Sequence, residues 1–569
     1  MKAGSKNKGG SNPSARWLFG PVSDLTFGCG LGYMAIFLGL AIAGPNVTLW
    51  LPASILPLLT VVAGGPHYGA TLLRAYEREE DRRKYRSVTV FATVALAIVF
   101  LVSLRIHLVG SLVATLYLMW SPWHYSGQNY GLMLMFLGRR GIAPSAPLKR
   151  WIRASFILSF LLVIVQLNGE NPSGTYAPAV QEATSGGPIQ PFYRQIPLGI
   201  PAPIQATLFW ALAIAYLGTL GMMGAGLFRR GSIRDLVPAL AIVITQSLWF
   251  SLPAIARYAS LSFGLVPLTT DFANYTFHYI AAAHAFQYIW VTLYFYRKTH
   301  PGTMMTFFYG KSMMAGQLLW GLPALIFAPL MIGSFSFSAD LGLLVASTVN
   351  IHHFILDGAI WKLRDNRIGR VLMDESPVKS PTKSSARSPS TNAAIRPSGR
   401  PWLLPVVLAT GALFVVSQIV NALEGHAYAS SMQKRDLPRA EQALDRLRWV
   451  ANDAFDQRRD LGLAARELGD FETAIRSFER SIVLRPSPGA YFEMARVHAL
   501  REEWDLASDS FEGAYALAPF PPAYSAEFLN SLVHASRRER AVEVLRDELR
   551  KFPLSPELGQ AKRLFDAGR

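Results

Sequence analysis

The sequence predicts an all-α protein in two parts: a polytopic membrane bundle of about eleven helices, followed by a C-terminal α-solenoid. Three observations carry this reading. Hydrophobic residues make up 51% of the 569-residue chain and charged residues only 16%, against about 25% in soluble domains. The positive charge sits in the apolar part of the chain. The last 140 residues are instead polar, helical in period and self-similar.

A spanning helix needs about 20 mainly apolar residues. Eleven stretches qualify: 24–44, 47–65, 88–106, 109–137, 151–168, 203–228, 236–256, 276–296, 313–335, 341–361 and 402–422. The first follows a 22-residue polar lead and lacks a small-residue cleavage site, so it reads as a retained span and not a signal peptide. The chain thus divides into a cytoplasmic polar N-terminus (1–22), a ten-helix membrane domain (23–365), a linker (366–400), an eleventh span (401–423) and an external repeat domain (430–569).

The net charge of +17 divides sharply. Residues 1–423 hold 33 of the 55 Lys and Arg and 14 of the 38 Asp and Glu, a net of +19, which leaves −2 for the rest. With the N-terminus inside, segments 1–22, 70–87, 138–153, 228–234, 297–311 and 362–400 carry 30 of those 33 basic residues; only Arg105, Arg194 and Arg257 fall outside. Lys and Arg accumulate on the cytoplasmic side, so the charge records membrane topology and argues against a nucleic-acid partner. The localisation this implies is a bacterial inner membrane, with the repeats in the periplasm or outside the cell. Membrane lipids are the first partners. The tract ESPVKSPTKSSARSPSTNAAIRPSGRP within 366–400 has almost no apolar residues and reads as a disordered tether. One cysteine, Cys29, excludes an intramolecular disulfide framework and a structural Cys-zinc site.

In the C-terminal part, Leu461, Gly462, Gly469, Asp470, Phe471, Ala474, Phe478 and Pro486 recur in part as Trp504, Ala507, Phe511, Ala514 and Pro519, and again as Ala541, Leu545 and Pro553. Small residues let paired helices approach, aromatics fill the gap, and proline ends the second helix. The block resembles the tetratricopeptide repeat family over about 100 residues, with a half-repeat at 437–452. That resemblance implies a concave surface for a protein or peptide partner.

The chemistry lies in the apolar part. Four polar motifs interrupt spans: Gly64-Gly65-Pro66-His67-Tyr68-Gly69, Ser121-Pro122-Trp123-His124-Tyr125-Ser126-Gly127-Gln128-Asn129, the stretch from His278 to Gln287, and Asn350-Ile351-His352-His353-Phe354-Ile355-Leu356-Asp357. Ionisable groups in a bilayer are costly and face partners or cavities. His353 and Asp357 are four residues apart and share a helix face, as do His124 and Gln128. His67, His124, His284 and His353 are therefore the expected metal ligands, with Asp357 as a fifth ligand or orienting group in the catalytic position. Gln128, Gln287, Asn350, His352 and His278 are expected behind them. Counted from the inner basic residues, the four histidines lie about 10 to 22 Å deep on straight helices, a wide spread for one ion. Imidazole with one carboxylate and no thiolate suits non-haem iron, while zinc, copper and haem remain open.

The motifs also resemble those of the membrane β-carotene-cleaving dioxygenases of the bacteriorhodopsin-related protein family. Pro66-His67-Tyr68-Gly69 is similar to that family's Pro-His-Gly, and His124-Tyr125-Ser126-Gly127 to its His-Phe-Gly, each with one residue inserted. His284 with Gln287 and His353 with Asp357 stand where the family has later histidines, and Asp357 replaces the second His of a His-x-x-x-His pair. The resemblance implies iron and O₂ chemistry on a lipid or isoprenoid, a lipid-soluble small molecule that Trp120, Trp123, Tyr125, Tyr130, Tyr288, Trp290 and Trp361 would channel. The competing readings are a non-enzymatic membrane-anchored scaffold for envelope assembly or secretion, a transporter, and a lipid-linked glycan enzyme.

Overall fold

The computed structural model describes residues 16–43, 56–77, 79–170, 193, 195–263, 270–327, 339–361, 366–373, 403–450, 452–517, 522–553 and 555–567. Most of the expected polar lead (1–15), most of the outer loop (171–192), most of the linker (374–400), and parts of four expected spans (44, 47–55, 328–335 and 402) lie outside the described residues. Among the described residues the chain is helical and contains no strand. It forms two compact units, one drawn from Met1–Pro178, Arg194–Pro323 and Leu343–Gln418, the other chiefly from Ile419–Arg569.

The first unit begins with a π-helical turn, Asp24–Gly28, and then α1 (Leu31–Ala43). A second π turn, Thr60–Gly64, leads into α2 (Gly65–Tyr76). There follow α3 (Glu79–Ser103), α4 (His107–Arg139), α5 (Ala146–Leu167), α6 (Ala202–Phe228) and α7 (Ile233–Gln246), the last joined by a π turn at Ser247–Ser251 to α8 (Leu252–Phe263). The unit continues with α9 (Thr270–Thr299), α10 (Met305–Phe327), α11 (Ala339–Ile360) and α12 (Asn366–Met373).

Five stretches are long and apolar enough to cross a membrane: Glu79–Ser103, Ala146–Leu167, Ala202–Phe228, Ile233–Ala259 and Leu343–Ile360. A sixth arises if the pair Pro21–Gly28 and Leu31–Gly39, bent by 60°, counts as one span. The 33-residue α4 is not among them, because its polar motif dilutes its hydropathy. On α3, Val90, Phe91, Val94, Ile98 and Leu101 are all exposed, an apolar face that suits hydrocarbon better than water.

Segments that the charge bias puts on one side meet at one end. Arg16 pairs with Asp235 at 2.8 Å, Arg139 donates to the carbonyls of Trp17 and Leu372, and Arg230 donates to that of Ala143. At the other end the Leu198 N–H donates to Asn168 Oδ1 and the Ile196 N–H to Thr115 Oγ1.

The second unit is a series of short helices that follows α13 (Leu403–Lys434): α14 (Leu437–Trp449), α15 (Phe455–Glu467), α16 (Phe471–Leu484), α17 (Pro488–Leu500), α18 (Trp504–Leu517), α19 (Pro522–His534), α20 (Arg538–Lys551) and α21 (Pro556–Ala567). Residues 424–429, between the expected eleventh span and the repeats, lie within α13, which runs unbroken from Leu403 to Lys434. Four turns carry a left-handed residue just ahead of a helix: Arg435, Gly469, Glu502 and Ser536. Their spacings of 34, 33 and 34 residues write the sequence period into the backbone. Asp436 caps α14 and Asp470 caps α16, each accepting from the backbone N–H three residues on. Ala474, Ala507 and Ala541 are fully buried at equivalent positions, with Phe478, Phe511 and Leu545 one turn later.

Candidate metal centre

Four helices each bring one imidazole to a common point. His67 lies in the first turn of α2, beside Pro66, where the π turn Thr60–Gly64 passes without a break into α-helix. The backbones of α2 and α10 touch here. A Cβ on Gly69 would lie 1.7 Å from the Ser312 carbonyl, and one on Gly316 would lie 1.7 Å from the Gly65 carbonyl. Only glycines permit this crossing. His124 is on α4 two residues after Pro122, His284 is midway along α9, and His353 is on α11.

One ligand atom from each of His67, His124, His284 and His353 falls within 4.8 Å of all the others. Ring centroids are 4.3 Å apart for His67 and His353, 4.9 Å for His67 and His284, and 5.0 Å for His124 and His284. His67, His284 and His353 are almost fully buried. Six buried imidazole nitrogens make no hydrogen bond: Nε2 of His67 and His124, and both nitrogens of His284 and His353. Buried polar atoms are normally paired, so this concentration of unpaired acceptors and donors marks a place built for something else. Among the described residues it is the one group of three or more His, Cys, Asp or Glu side chains with metal-ligand spacing. The spread of depths expected for straight, level helices does not arise. α2 follows a π turn and packs backbone to backbone on α10.

Asp357 has two different oxygens. Oδ1 accepts from Tyr288 Oη at 2.8 Å and Thr71 Oγ1 at 3.0 Å. Oδ2 faces the histidines, 3.3 Å from His353 Nε2 and 3.8 Å from His124 Nε2, close but outside hydrogen-bond geometry. Tyr288 Oη in turn accepts from Trp361 Nε1 at 2.9 Å. A neutral network thus fixes one oxygen and leaves the other turned to the cluster.

The remaining expected residues separate. Asn350 accepts from Tyr68 Oη at 2.6 Å, and the Tyr68 ring lies against His67 and His353. Gln128 donates to the His284 carbonyl and to Gln287 Oε1, and Gln287 donates to the Gly28 carbonyl. These two amides lock α4, α9 and the first π turn together and do not bond an imidazole. His352 turns away, 2.8 Å from Thr93 Oγ1 on α3. His278 is on α9, but its side chain lies outside the described residues. Thr71 stands in none of the sequence motifs, and Tyr68 stands in one with no role assigned to it. The i,i+4 spacing of His67 and Thr71 was the available signal.

A cavity of about 340 Å³ adjoins the centre. His124, Asp357 and Tyr288 face it, and Trp120, Trp123 and Trp361 line it as expected. Tyr125 instead packs on the His284 ring, and Trp290 is buried in the core with its Nε1 donating to Asp24. No family model, curated protein or solved structure matches the chain.

Proposed function

We propose that this is a membrane metalloprotein holding one metal ion between His67, His124, His284 and His353, and that the ion is iron serving an O₂-dependent oxygenase of a lipid or isoprenoid. The observation that carries the metal is the set of six unpaired buried imidazole nitrogens. Metal–imidazole bonds of about 2.1 Å put ligands on opposite sides of one ion about 4.2 Å apart, close to the 4.8 Å limit here. Four imidazoles converging from four helices favour a bare ion over haem, which would need a flat slot between two of them. A site of imidazoles with one carboxylate and no thiolate suits iron among the first-row metals.

When bound, iron would supply a redox-active Lewis acid that takes up O₂. The chain supplies the rest. The four imidazoles hold the ion, Asp357 Oδ2 offers a fifth donor or a proton acceptor beside it, and Thr71 and Tyr288 orient that carboxylate. The adjoining cavity admits a substrate. The wider reading has eleven spans, an inner-membrane location with the N-terminus inside, and tetratricopeptide-like repeats outside that bind a protein or peptide. The recurring left-handed turns and the buried Ala and Phe ladder support the repeats.

The test is turnover under ¹⁸O₂. Protein reconstituted with Fe(II) is incubated with a total membrane lipid extract, and products are read by mass spectrometry. Label in a lipid product that needs His353 supports the oxygenase. Absence of label from every extract with iron bound removes the oxygenase and leaves a metal site of another use.

A further inference from the structure

We infer that the cavity beside the histidine cluster is a lateral binding slot for one hydrocarbon chain of a bilayer lipid, entered between α4 and α11. The mouth lies at Trp123, 40% exposed, Gly127 and Gly358, the exposed members of the cavity lining. Leu108, Leu112 and Leu116 precede it on α4, each about half exposed or more and spaced one turn apart. The apolar face of α4 that a membrane would wet therefore runs directly into the opening. Lipid chains, and not water, are what stand at such a mouth.

The slot itself is made by missing side chains. A Cβ on Gly127, Gly131 or Gly358 would meet no atom within 4 Å. All three line the cavity. The space is thus not imposed by close helix packing, as it is at Gly69. From Gly127 through Gly131 to Met135 the slot follows one face of α4 for eight residues, about 12 Å. Its far wall is apolar and buried: Met135, Leu132 and Leu372. At the near end stand His124, with its unpaired Nε2, and Asp357. A long apolar slot parallel to the helix axis, open to lipid and closed by methyl groups, fits an extended chain better than a compact polar solute. That a lipid occupies the slot is independent of any metal; that the chain presents its reacting carbon to the His124 end rests on the metal-centre reading.

The test uses the full chain in vesicles of phosphatidylcholine in which a fraction of the lipid carries a diazirine in its acyl chain. After irradiation, labelled residues are mapped by mass spectrometry, and metal content is measured on the same samples. The expected result is label on Leu132, Met135 or Leu372 in addition to the lipid-facing Leu112 and Leu116. The variants Gly127→Leu/Gly131→Leu and, from the facing helix, Gly358→Leu should lose the inner label and keep the outer. The control Gly218→Leu, on the exposed face of α6 where a Cβ also meets nothing, should keep both. Inner label absent from the wild type, or unchanged in both slot-filling variants, overturns the inference. Protein that stays metal-free after anaerobic reconstitution with Fe(II) yet takes inner label would retire the metal reading and leave the slot. Iron-loaded protein without it would do the reverse.

Discussion

Asp357 Oδ2 lies 3.3 Å from His353 Nε2, one helical turn away on α11, while Oδ1 of the same carboxylate is held by Tyr288 and Thr71 from two other helices. The carboxylate is therefore oriented from behind and presented to the cluster from in front. Its contribution can be separated from that of the imidazoles.

Asp357→Asn keeps an Oδ1 acceptor for Tyr288 and Thr71 but removes the charge facing the histidines. Metal affinity is expected to fall about 10- to 100-fold without loss of the fold. Competition with a chelator of known affinity measures it. Unchanged affinity would reduce Asp357 to a helix brace.

Tyr288→Phe removes one donor to Asp357 and the acceptor for Trp361 Nε1. Thr71 still holds Oδ1. A buried group left unpaired costs about 1–3 kcal/mol, so the thermal midpoint in detergent should fall modestly while the metal stays bound. Loss of the metal would show that Tyr288 does more than hold the carboxylate.

Gly69→Ala tests how His67 is positioned. Its new methyl would meet the Ser312 carbonyl, so α2 and α10 must part. The variant is expected to lose metal although no ligand is changed, whereas Gly218→Ala, which meets nothing, should retain it. Metal analysis of both, after size-exclusion chromatography to confirm folding, decides.

The repeat unit offers a test of its own. Glu502 and Ser536 occupy left-handed turn positions at which Gly469 stands one or two periods earlier. Side chains pay about 1–2 kcal/mol for that conformation, less the entropy glycine loses on folding. Glu502→Gly should therefore slow hydrogen exchange across α17 and α18 in the full chain, and Gly469→Val should speed it across α15 and α16. The opposite signs would mean that the turns relax in solution.

The helices and the cluster were legible for a common reason. Histidines in apolar spans stand out because burial there is costly, and the 100° step per residue separates His353, which joins the cluster, from His352, which meets Thr93 on α3. The supporting network was hidden. Tyr288 and Thr71 are unremarkable in an apolar helix, and their shared partner Asp357 is 69 and 286 residues away. The level-helix depth estimate could not see the π turn before α2 or the glycine contact with α10. In the repeats, Gly469 marks its turn, but Arg435, Glu502 and Ser536 do not, because only glycine among these residue types favours a left-handed backbone.

The central claim, that four histidines from four helices hold one metal ion, is tested most directly by metal content per chain. Mass spectrometry of the detergent-purified protein should be run beside a His124→Ala/His353→Ala variant of matched folding. The account predicts about one iron per chain, absent from the variant. No metal in either protein, even after anaerobic reconstitution with Fe(II), would contradict it.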